Sequence, residues 1–543
     1  MSTDSATERG PSPLPLNLWE TRPSPYNARV RTLAIAALLV AVAAGATRGA
    51  SEQETPDAAA LAVLAKIRDE GLHRSKVEPV FDMFVNVIGP RLTGSPAHKR
   101  AADYARDVLE KWGLDTPHLE PWLFGRGWSL EKLTIEMVEP RYAPLVGYAE
   151  AWTPSTTGEQ VVSAVSVAGK PVEEIERMDL AGAAVLQQPS VTNFIIEDRP
   201  QPAALPDDAV YRTGAPSAGG TRQGSPAAGG ARQGGATAGG TGGTAQTPQQ
   251  RMTAAIAKAA VILKPSRGNY GTVFVQAGRN DPPATTPAIV LMGEHYDMIA
   301  QLLAHGIPVQ LRVNVQSRFY DADKNSYNVI ADIPGSDPVL KDQLVLLGGH
   351  LDSWHAATGA TDNADGAAAV MEAFRILEAV GARPKRTIRV ALWSGEEEGL
   401  LGSKAYVAAH LAGDAHKAER ERFDVYFNID PGYGPIYGWY LENNDAVKPI
   451  FDAWLAPLED LGMVKNVKPG IPSTDHLSFT ALGLPGFNPI QSYKDYDTRL
   501  HHTNVDTAER ITEADLQQNA IVLAWYVYQA AMRPGVIPST ARK

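Results

Sequence analysis

The stretch QLVLLGGHLD, residues 343–352, decides the fold that this sequence predicts. An apolar run followed at once by polar side chains is typical of a strand that is buried on both faces of a sheet. A helical pattern follows at about 364–380, and a second strand of the same kind, TIRVALW, follows at 387–393. Apolar strands joined by helical crossovers predict an α/β fold, a three-layer α/β/α sandwich with a mainly parallel, mixed sheet. Sites in such sheets lie beyond the carboxyl ends of the strands.

The same alternation extends on both sides of this stretch. The runs YNVIADIP at 327–334 and FDVYFNID at 423–430 predict two more strands. A long amphipathic helix at about 513–531 closes the pattern, with Thr512 and Asp515 as its capping pair. We therefore expect one α/β domain over this part of the chain.

The amino-terminal half contains two different patterns of apolar residues, one helical and one β-rich. From Thr55 to about Trp112, apolar residues recur at three- and four-residue spacing, which predicts helices. After about Leu123, short runs such as LTIEMV and VQLRVNV predict strands separated by turns, and we interpret this β-rich part as a second, inserted domain. Within it, residues 214–250 are rich in Gly, Ala, Ser and Gln and poor in apolar side chains, which predicts a disordered loop.

The apolar run LAIAALLVAVAAGA at 33–46 follows Arg29 and Arg31 and resembles a secretory signal. It predicts export to the periplasm or the extracellular space, and a membrane contact only if the run stays uncleaved as an anchor. The predicted organisation is a signal peptide or anchor region at 1–50, an amino-terminal helical part of the α/β domain at 51–122, the inserted domain at 123–324, the rest of the α/β domain at 325–533, and a tail at 534–543.

Composition excludes several kinds of function. The formal net charge of −11 argues against a nucleic-acid partner, because neutralising phosphates requires clustered Lys and Arg. The chain of 543 residues contains no cysteine, which excludes disulfides, thiol catalysis and thiolate zinc sites. A metal site in this chain must therefore use His, Asp and Glu.

Side chains that can bind metals follow several of the predicted strands. Each motif alone has an ordinary structural explanation: a solvated loop, a helix N-cap in the case of Asp362, or an acidic surface turn. Together, successive strand ends or the loops after them each deliver an imidazole or a carboxylate, and five such donors suit two zinc ions better than one. The motifs are His350 and Asp352 in GGHLDSW, Asp362 in GATDNADG, Glu396 to Glu398 in WSGEEEGLLGS, Asp430 in NIDPGYG, and His501 and His502 in HHTNVDT.

These five motifs stand in the same order as in the co-catalytic zinc exopeptidases of the aminopeptidase and glutamate carboxypeptidase type, which the chain resembles across about 325–533. HLDSW and the paired histidines most resemble the plasma glutamate carboxypeptidase (carboxypeptidase Q) branch, whose members carry an inserted protease-associated domain; 123–324 looks like that insertion. STDHLSF at 473–479 resembles a stretch of the broader aminopeptidase group. His355 stands where this branch tends to have an acidic residue, which bears on substrate preference.

The resemblance implies a role for each matching residue. It implies two zinc ions per chain, with one carboxylate bridging them, and a general base beside them. The implied set is His350 and Asp430 on one ion, Glu397 and His502 on the other, Asp362 bridging both, Glu396 as general base, Asp352 as the carboxylate behind His350, and His501 as oxyanion stabiliser.

The function predicted from these features is an exported, zinc-dependent exopeptidase that hydrolyses short peptides. In this hypothesis a water bridging the two zinc ions loses a proton to Glu396 and attacks the peptide carbonyl. The resemblance also implies a homodimer. The alternatives are a non-catalytic receptor or binding homologue and a different zinc-dependent acyl transfer, such as glutaminyl cyclisation. The preference for amino or carboxyl termini stays open.

Overall fold

The computed structural model describes residues 55–200, 247–277 and 283–540, which form two β-sheets with helices packed against them. The helices are α1 Ala58–His73, α2 Val77–Asp82, α3 Pro96–Lys111, α4 Val172–Ile175, α5 Pro248–Ile256, α6 Gly293–Ala304, α7 Asp365–Ala379, α8 Leu401–His410, α9 Lys417–Arg422, α10 Lys448–Leu455, α11 His476–Thr480 and α12 Glu513–Met532. The strands are β1 Asp115–Leu123, β2 Gly127–Glu139, β3 Ala143–Pro144, β4 Gly147–Ala149, β5 Gln160–Ser166, β6 Ala184–Leu186, β7 Val261–Pro265, β8 Ala288–Leu291, β9 Gln310–Tyr320, β10 Asn325–Ile333, β11 Leu344–His350, β12 Thr387–Trp393, β13 Phe423–Asn428, β14 Tyr433–Tyr440 and β15 Gly486–Ser492.

The first sheet has seven strands in the order β1-β10-β12-β11-β13-β15-β14. The four strands β12, β11, β13 and β15 run parallel to one another. On one side β10 and β1, and at the other edge β14, run antiparallel to their neighbours. The predicted mixed α/β sheet is confirmed, with its parallel part limited to these four strands.

Helices cover both faces of this sheet. On one face, Leu346 of β11 shares a buried apolar cluster with Tyr406 of α8 and Phe479 of α11. On the other face, α7 and α12 pack against β11 and β12, and the ring of Phe427 on β13 lies 6.2 Å from that of Tyr526 on α12. The central strand is therefore buried on both sides, as its continuous apolar run predicts.

The predicted helical part at 51–122 is wrong at its end, because residues from Asp115 form strand β1. This strand pairs antiparallel with β10 at an edge of the first sheet. Two prolines, Pro117 and Pro121, interrupt its sequence pattern. Proline has no backbone N–H to donate, but an edge strand tolerates it because one side of the strand is unpaired.

The second sheet has eight strands in the order β3-β2-β9-β5-β6-β7-β8-β4 and is built entirely between Gly127 and Tyr320. Its core includes Tyr296 and Ile299 of α6, and a smaller cluster around Ile256 joins α5 to α4. The described residues from 55 onward group into one compact unit. The interpretation of 123–324 as a separate inserted domain stays a prediction.

Two predicted segments fall wholly or mostly outside the described residues: the signal or anchor run at 33–46, and residues 214–246 of the Gly/Ala-rich loop. The end of that loop is a correction, since residues 247–250 start helix α5 instead of being disordered. Thr247 caps the helix: its hydroxyl accepts from the N–H of Gln250 at 3.2 Å, and the Gln250 side chain accepts from the N–H of Thr247 at 2.8 Å. Among the helices that the structure describes, none has both the length and the apolar character of a membrane span.

Candidate metal centre

Three of the five side chains predicted to bind metal lie at the carboxyl ends of three neighbouring parallel strands. His350 is the last residue of β11, Glu397 follows β12 in a tight turn, and Asp430 lies two residues beyond β13. Because the three strands are parallel, their carboxyl ends reach the same edge of the sheet. The loop that starts α7 adds Asp362, and a loop before α12 adds His502.

Three of these residues form the first ligand group: His350, Asp362 and Asp430. The Nε2 atom of His350 lies 3.2 Å from Oδ1 of Asp362 and 3.8 Å from Oδ1 of Asp430. One potential ligand atom from each residue lies within 4.8 Å of the others, and all three side chains are buried. This spacing is compatible with a single cation between them.

Asp362 also belongs to a second ligand group, together with Glu397 and His502. Its Oδ2 atom lies 3.3 Å from Nε2 of His502, which in turn lies 2.8 Å from Oε2 of Glu397. His501 lies at the rim of this group, with its Nε2 atom 3.9 Å from Oδ2 of Asp362. The two oxygens of Asp362 thus face the two groups separately.

His501 stacks on the ring of Tyr496, with ring centroids 5.1 Å apart, and its side chain is 32% exposed. Burial and the neighbouring His502 lower its pKa to about 3, so the ring is neutral at physiological pH. A neutral imidazole can donate one hydrogen bond. Its predicted role as oxyanion stabiliser stays a prediction.

The loop that carries Asp362 is held from behind by Asp506. The Asp506 carboxylate accepts from the backbone N–H of Thr361 at 2.8 Å and from that of Asp362 at 3.2 Å. The N-cap of α7 is Ala364, which makes no side-chain capping bond. The alternative interpretation of Asp362 or Asn363 as the helix cap is therefore wrong.

Asp352 lies behind His350, as the resemblance implies. Nδ1 of His350 lies 3.0 Å from the Asp352 backbone oxygen and 3.6 Å from its Oδ1 atom. The same carboxylate accepts from the Thr93 hydroxyl at 2.9 Å and from the backbone N–H groups of Glu396 and Glu397 at 3.4 and 3.3 Å. Asp352 therefore links the imidazole to the turn that carries both glutamates.

Electrostatics separate the two glutamates from ordinary surface carboxylates. Burial, the charges of Asp430 and Asp475 and that of Glu397 raise the pKa of Glu396 well above its usual value, although His350 opposes the shift. Burial and the neighbouring Asp362 raise the pKa of Glu397 to about 7. A carboxylate with a raised pKa can exchange a proton near neutral pH, which suits a general base and acid.

The pKa values of His502 and His350 are also raised, but here neighbouring carboxylates raise them and burial opposes the shift. Burial lowers the pKa of His502, but Glu397 and Asp362 outweigh it and raise the value to about 10. Burial likewise opposes protonation of His350, but the carboxylates of Asp352, Asp362 and Asp430 raise its pKa well above the usual value. Without a cation, these carboxylates therefore hold both imidazoles protonated.

The residues at this site fit a metal ion. Among the side chains of the two ligand groups, three buried atoms lack a hydrogen-bond partner in the described part of the chain: Nε2 of His350, Oδ2 of Asp362 and Oε1 of Glu397. Burying polar atoms without partners is costly, and a cation would satisfy all three. A set of imidazole and carboxylate donors without thiolates is typical of catalytic zinc sites.

The wall of the site is aromatic. Trp354 packs against Trp152 of the preceding part of the chain, with ring centroids 6.4 Å apart, and against His502 at 6.2 Å. His355 faces away from the ligand groups: its ring lies 5.1 Å from Trp128, and its Nε2 atom donates to the Ala149 carbonyl at 2.7 Å. Burial lowers the pKa of His355 to about 4, so the ring is neutral at physiological pH. It connects this wall to the second sheet through its hydrogen bond to Ala149.

Three residues at the site escaped the sequence analysis as functional candidates. Asp506 belongs to HHTNVDT, and Asp475 belongs to STDHLSF, so both motifs contain a signal that had no assigned role. Asp475 is buried, and burial raises its pKa to about 7. Arg91 lies in the loop before α3 and donates to the backbone carbonyls of Leu351 and Gly359, each at 2.8 Å.

Comparisons with known proteins point to one family. The profile of peptidase family M28 matches residues 328–527. Carboxypeptidase Q from Bos taurus is 26% identical over 460 residues, covering 84% of this chain and 85% of that protein. A solved peptidase M28 precursor from Shewanella amazonensis has a TM-score of 0.63 and 25% identity, covering 89% of this chain and 99% of that structure.

A zinc aminopeptidase from Bacillus subtilis shares the fold, with a TM-score of 0.55 and 18% identity over 84% of this chain and 94% of that structure. The matched region 328–527 contains all eight residues that the resemblance assigned to the site. The resemblance to the aminopeptidase and glutamate carboxypeptidase type is thereby confirmed.

Proposed function

Since this chain is a metallo-exopeptidase with a domain of peptidase family M28, we propose that it hydrolyses the terminal peptide bonds of short peptides with two zinc ions. The observation that carries the proposal is the position of Asp362. Its two oxygens lie 3.2 Å from His350 and 3.3 Å from His502, so that one carboxylate belongs to both ligand groups.

Two ions are supported over one by the number and arrangement of the donors. His350 and Asp430 flank one oxygen of Asp362, while Glu397 and His502 lie on the side of the other. A single-ion acyl transferase needs only three protein ligands. Bound zinc lowers the pKa of a coordinated water and polarises a carbonyl, and paired ions are known in aminopeptidases.

Glu396 is the proposed proton carrier. It lies in the same turn as Glu397, is half-buried, and has a raised pKa caused by burial and by neighbouring carboxylates. It accepts a proton from the attacking water and delivers that proton to the departing amine. The hydrogen bonds from the backbone N–H groups of Glu396 and Glu397 to Asp352 hold this turn in place during both transfers.

Access to the ligand groups supports small substrates. Of the side chains in the second group, Glu397 is 2% and Asp362 6% exposed, and His502 is 20% exposed. The Trp354 ring closes one side of the group. A chain terminus fits such a partly covered site more readily than the middle of a folded protein.

We also propose that the protein is exported, on the basis of the apolar run at 33–46 and the basic residues before it. Amino-terminal sequencing of protein recovered from the periplasm or culture medium tests this. A mature amino terminus shortly after residue 46 supports cleavage, whereas an intact amino terminus on cytoplasmic protein contradicts export.

The test of the proposed activity is product identification from three short peptides of one sequence: free at both ends, acetylated at the amino end, and amidated at the carboxyl end. Mass spectrometry of the products shows which terminus is required. We expect release of terminal residues, loss of activity with a chelator, and its return with zinc. Hydrolysis that persists in a chelator after the zinc has been removed, or cleavage only at internal bonds, would contradict the proposal.

A further inference from the structure

A loop of the second sheet lies directly along the motif that supplies His502. Phe274 forms an isolated antiparallel bridge with Thr503. The N–H of Val273 donates to the Asn504 side chain at 2.7 Å, and the N–H of Asn504 donates to the Val273 carbonyl at 3.1 Å. The loop at 271–276 is therefore paired with residues 502–504, although it belongs to the part of the chain predicted as an insertion.

The pairing holds the backbone of His502 in an unusual conformation. His502 has a φ of +62°, in the left-handed region that side chains other than glycine adopt infrequently. Its carbonyl accepts from the N–H of Val275 at 3.3 Å. Residues in such conformations persist where surrounding contacts determine them, and they concentrate at functional sites.

Gln276, the next residue of this loop, reaches the far side of the His502 ring. Its side-chain Nε2 atom lies 2.6 Å from Nδ1 of His502, while Nε2 of the same ring faces Asp362 and Glu397. An imidazole that binds a metal through Nε2 keeps its proton on Nδ1 and needs an acceptor there. Turning the amide by 180° exchanges its oxygen and nitrogen in place, so Gln276 can accept that proton.

We propose that Gln276 is a positioning residue that fixes the tautomer and orientation of His502 for the second metal ion. This inference rests on the zinc centre proposed above. It means that the second sheet, although it supplies none of the predicted ligands, completes the metal centre through one side chain. Partners of metal-bound histidines typically change metal affinity by 10–100-fold when they are removed.

The test measures zinc affinity at each site, independently of activity. Metal-free wild type, Gln276→Ala, Gln276→Glu and the control Gln316→Ala are titrated with zinc against a chromophoric chelator. Gln316 is exposed on β9 of the same sheet. We expect Gln276→Ala to weaken one of the two ions by about 10–100-fold and to leave the other unchanged. Gln276→Glu, whose carboxylate can accept the same proton, should keep both ions within a few-fold of wild type.

A merely structural role would weaken both ions together, or neither, because it would act through the fold of the whole loop. Equal affinity of Gln276→Ala and wild type at both sites would overturn the proposal, as would equal losses in Gln276→Glu and Gln276→Ala. If Gln276→Ala does not fold, the glutamate variant decides alone, by keeping or losing the second ion. A wild type that binds no zinc would instead remove the zinc centre itself, which is a different result from a selective loss.

Discussion

Asp362 offers one oxygen to His350 and the other to His502, at 3.2 and 3.3 Å. Burial would raise the pKa of this carboxyl, but the neighbouring imidazoles of His350 and His502 outweigh it and lower the pKa well below its usual value. The group is therefore ionised at all physiological pH values. An ionised carboxylate between two sets of donors is suited to bridging two cations.

This geometry predicts different metal losses for two aspartates. Asp362→Ala should lower the affinity for both zinc ions, because both lose a ligand, whereas Asp430→Ala should lower the affinity for one. Zinc content after dialysis against a zinc buffer, measured by mass spectrometry, checks this. Asp414→Ala on an exposed short turn is the control. Loss of a single ion in Asp362→Ala would show that this carboxylate serves only one site.

Replacement of the proposed general base should separate binding from turnover. Glu396→Gln keeps the size of the side chain and removes its basicity, so we expect zinc content to stay at the wild-type level and kcat to fall by roughly 10²–10⁴-fold. Steady-state kinetics on a short peptide measures this, with Glu419→Gln on α9 as the control. Turnover near the wild-type rate in Glu396→Gln would exclude this residue as the base.

At the scale of elements, the two loops that carry Asp352 and Asp362 are tied to the segment after α2 by one buried arginine. Arg91 is fully buried and donates to the carbonyls of Leu351, Thr358 and Gly359 at 2.7–2.8 Å. Burial lowers its pKa to about 10, so it stays charged at neutral pH. A single side chain thus fixes the relative position of the loops on either side of the metal centre.

Removing this link should cost stability as well as metal affinity. Arg91→Met leaves several buried carbonyls without a donor, and each unsatisfied group costs about 1–3 kcal/mol, so we expect the free energy of unfolding to fall by about 3 kcal/mol or more. Urea unfolding of the metal-free protein measures it. Arg106→Met on α3, where the side chain is partly exposed, should change stability little. A loss below about 1 kcal/mol in Arg91→Met would contradict this account.

The elements that the sequence predicts well are those with one continuous apolar run. Strands β10 to β13 and helices α7 and α12 lie within a few residues of their predicted bounds, because their patterns reflect burial directly. Strands β14 and β15 are each interrupted by a proline, Pro435 in one and Pro489 in the other, and neither follows a continuous apolar pattern. Their pairing depends on neighbours rather than on their own residues.

The same distinction holds for the site. Ligand candidates at strand ends can be predicted because parallel strands bring their carboxyl ends together. The residues that hold these ligands in place cannot be predicted in this way, because each contact joins distant parts of the chain. Arg91 lies 260 positions from Leu351, and Gln276 lies 226 positions from His502. Only the folded chain shows that these side chains meet the ligands.

For the whole molecule, the shifted groups predict how stability depends on pH. The folded pKa values of His350 and His502 lie above those of the unfolded chain, so their stabilisation is complete below about pH 6.5 and is lost as pH rises. The stability contributed by Asp475 and Asp506, whose folded pKa values are about 7, likewise falls as pH rises. The buried neutral His98 has a lowered pKa of about 4, so it changes the pH dependence of stability only below pH 6.5.

Metal-free protein should therefore lose thermal stability between pH 7 and pH 9. Zinc binding requires unprotonated imidazoles, so it should tighten over the same range. We expect the difference in melting temperature between zinc-loaded and metal-free protein to widen from pH 7 to pH 9. Thermal unfolding in matched buffers, with zinc or with a chelator, measures both trends. A metal-free melting temperature that rises across this range would contradict the assigned shifts.

Anomalous diffraction at the zinc edge, from crystals grown with zinc, tests directly whether donors from distant parts of the chain converge on two cations. We expect two peaks about 3.5–4 Å apart. One should lie between His350 and Asp430 and the other between Glu397 and His502, with Asp362 contacting both. A single peak, or zinc bound only away from Asp362, would contradict this expectation.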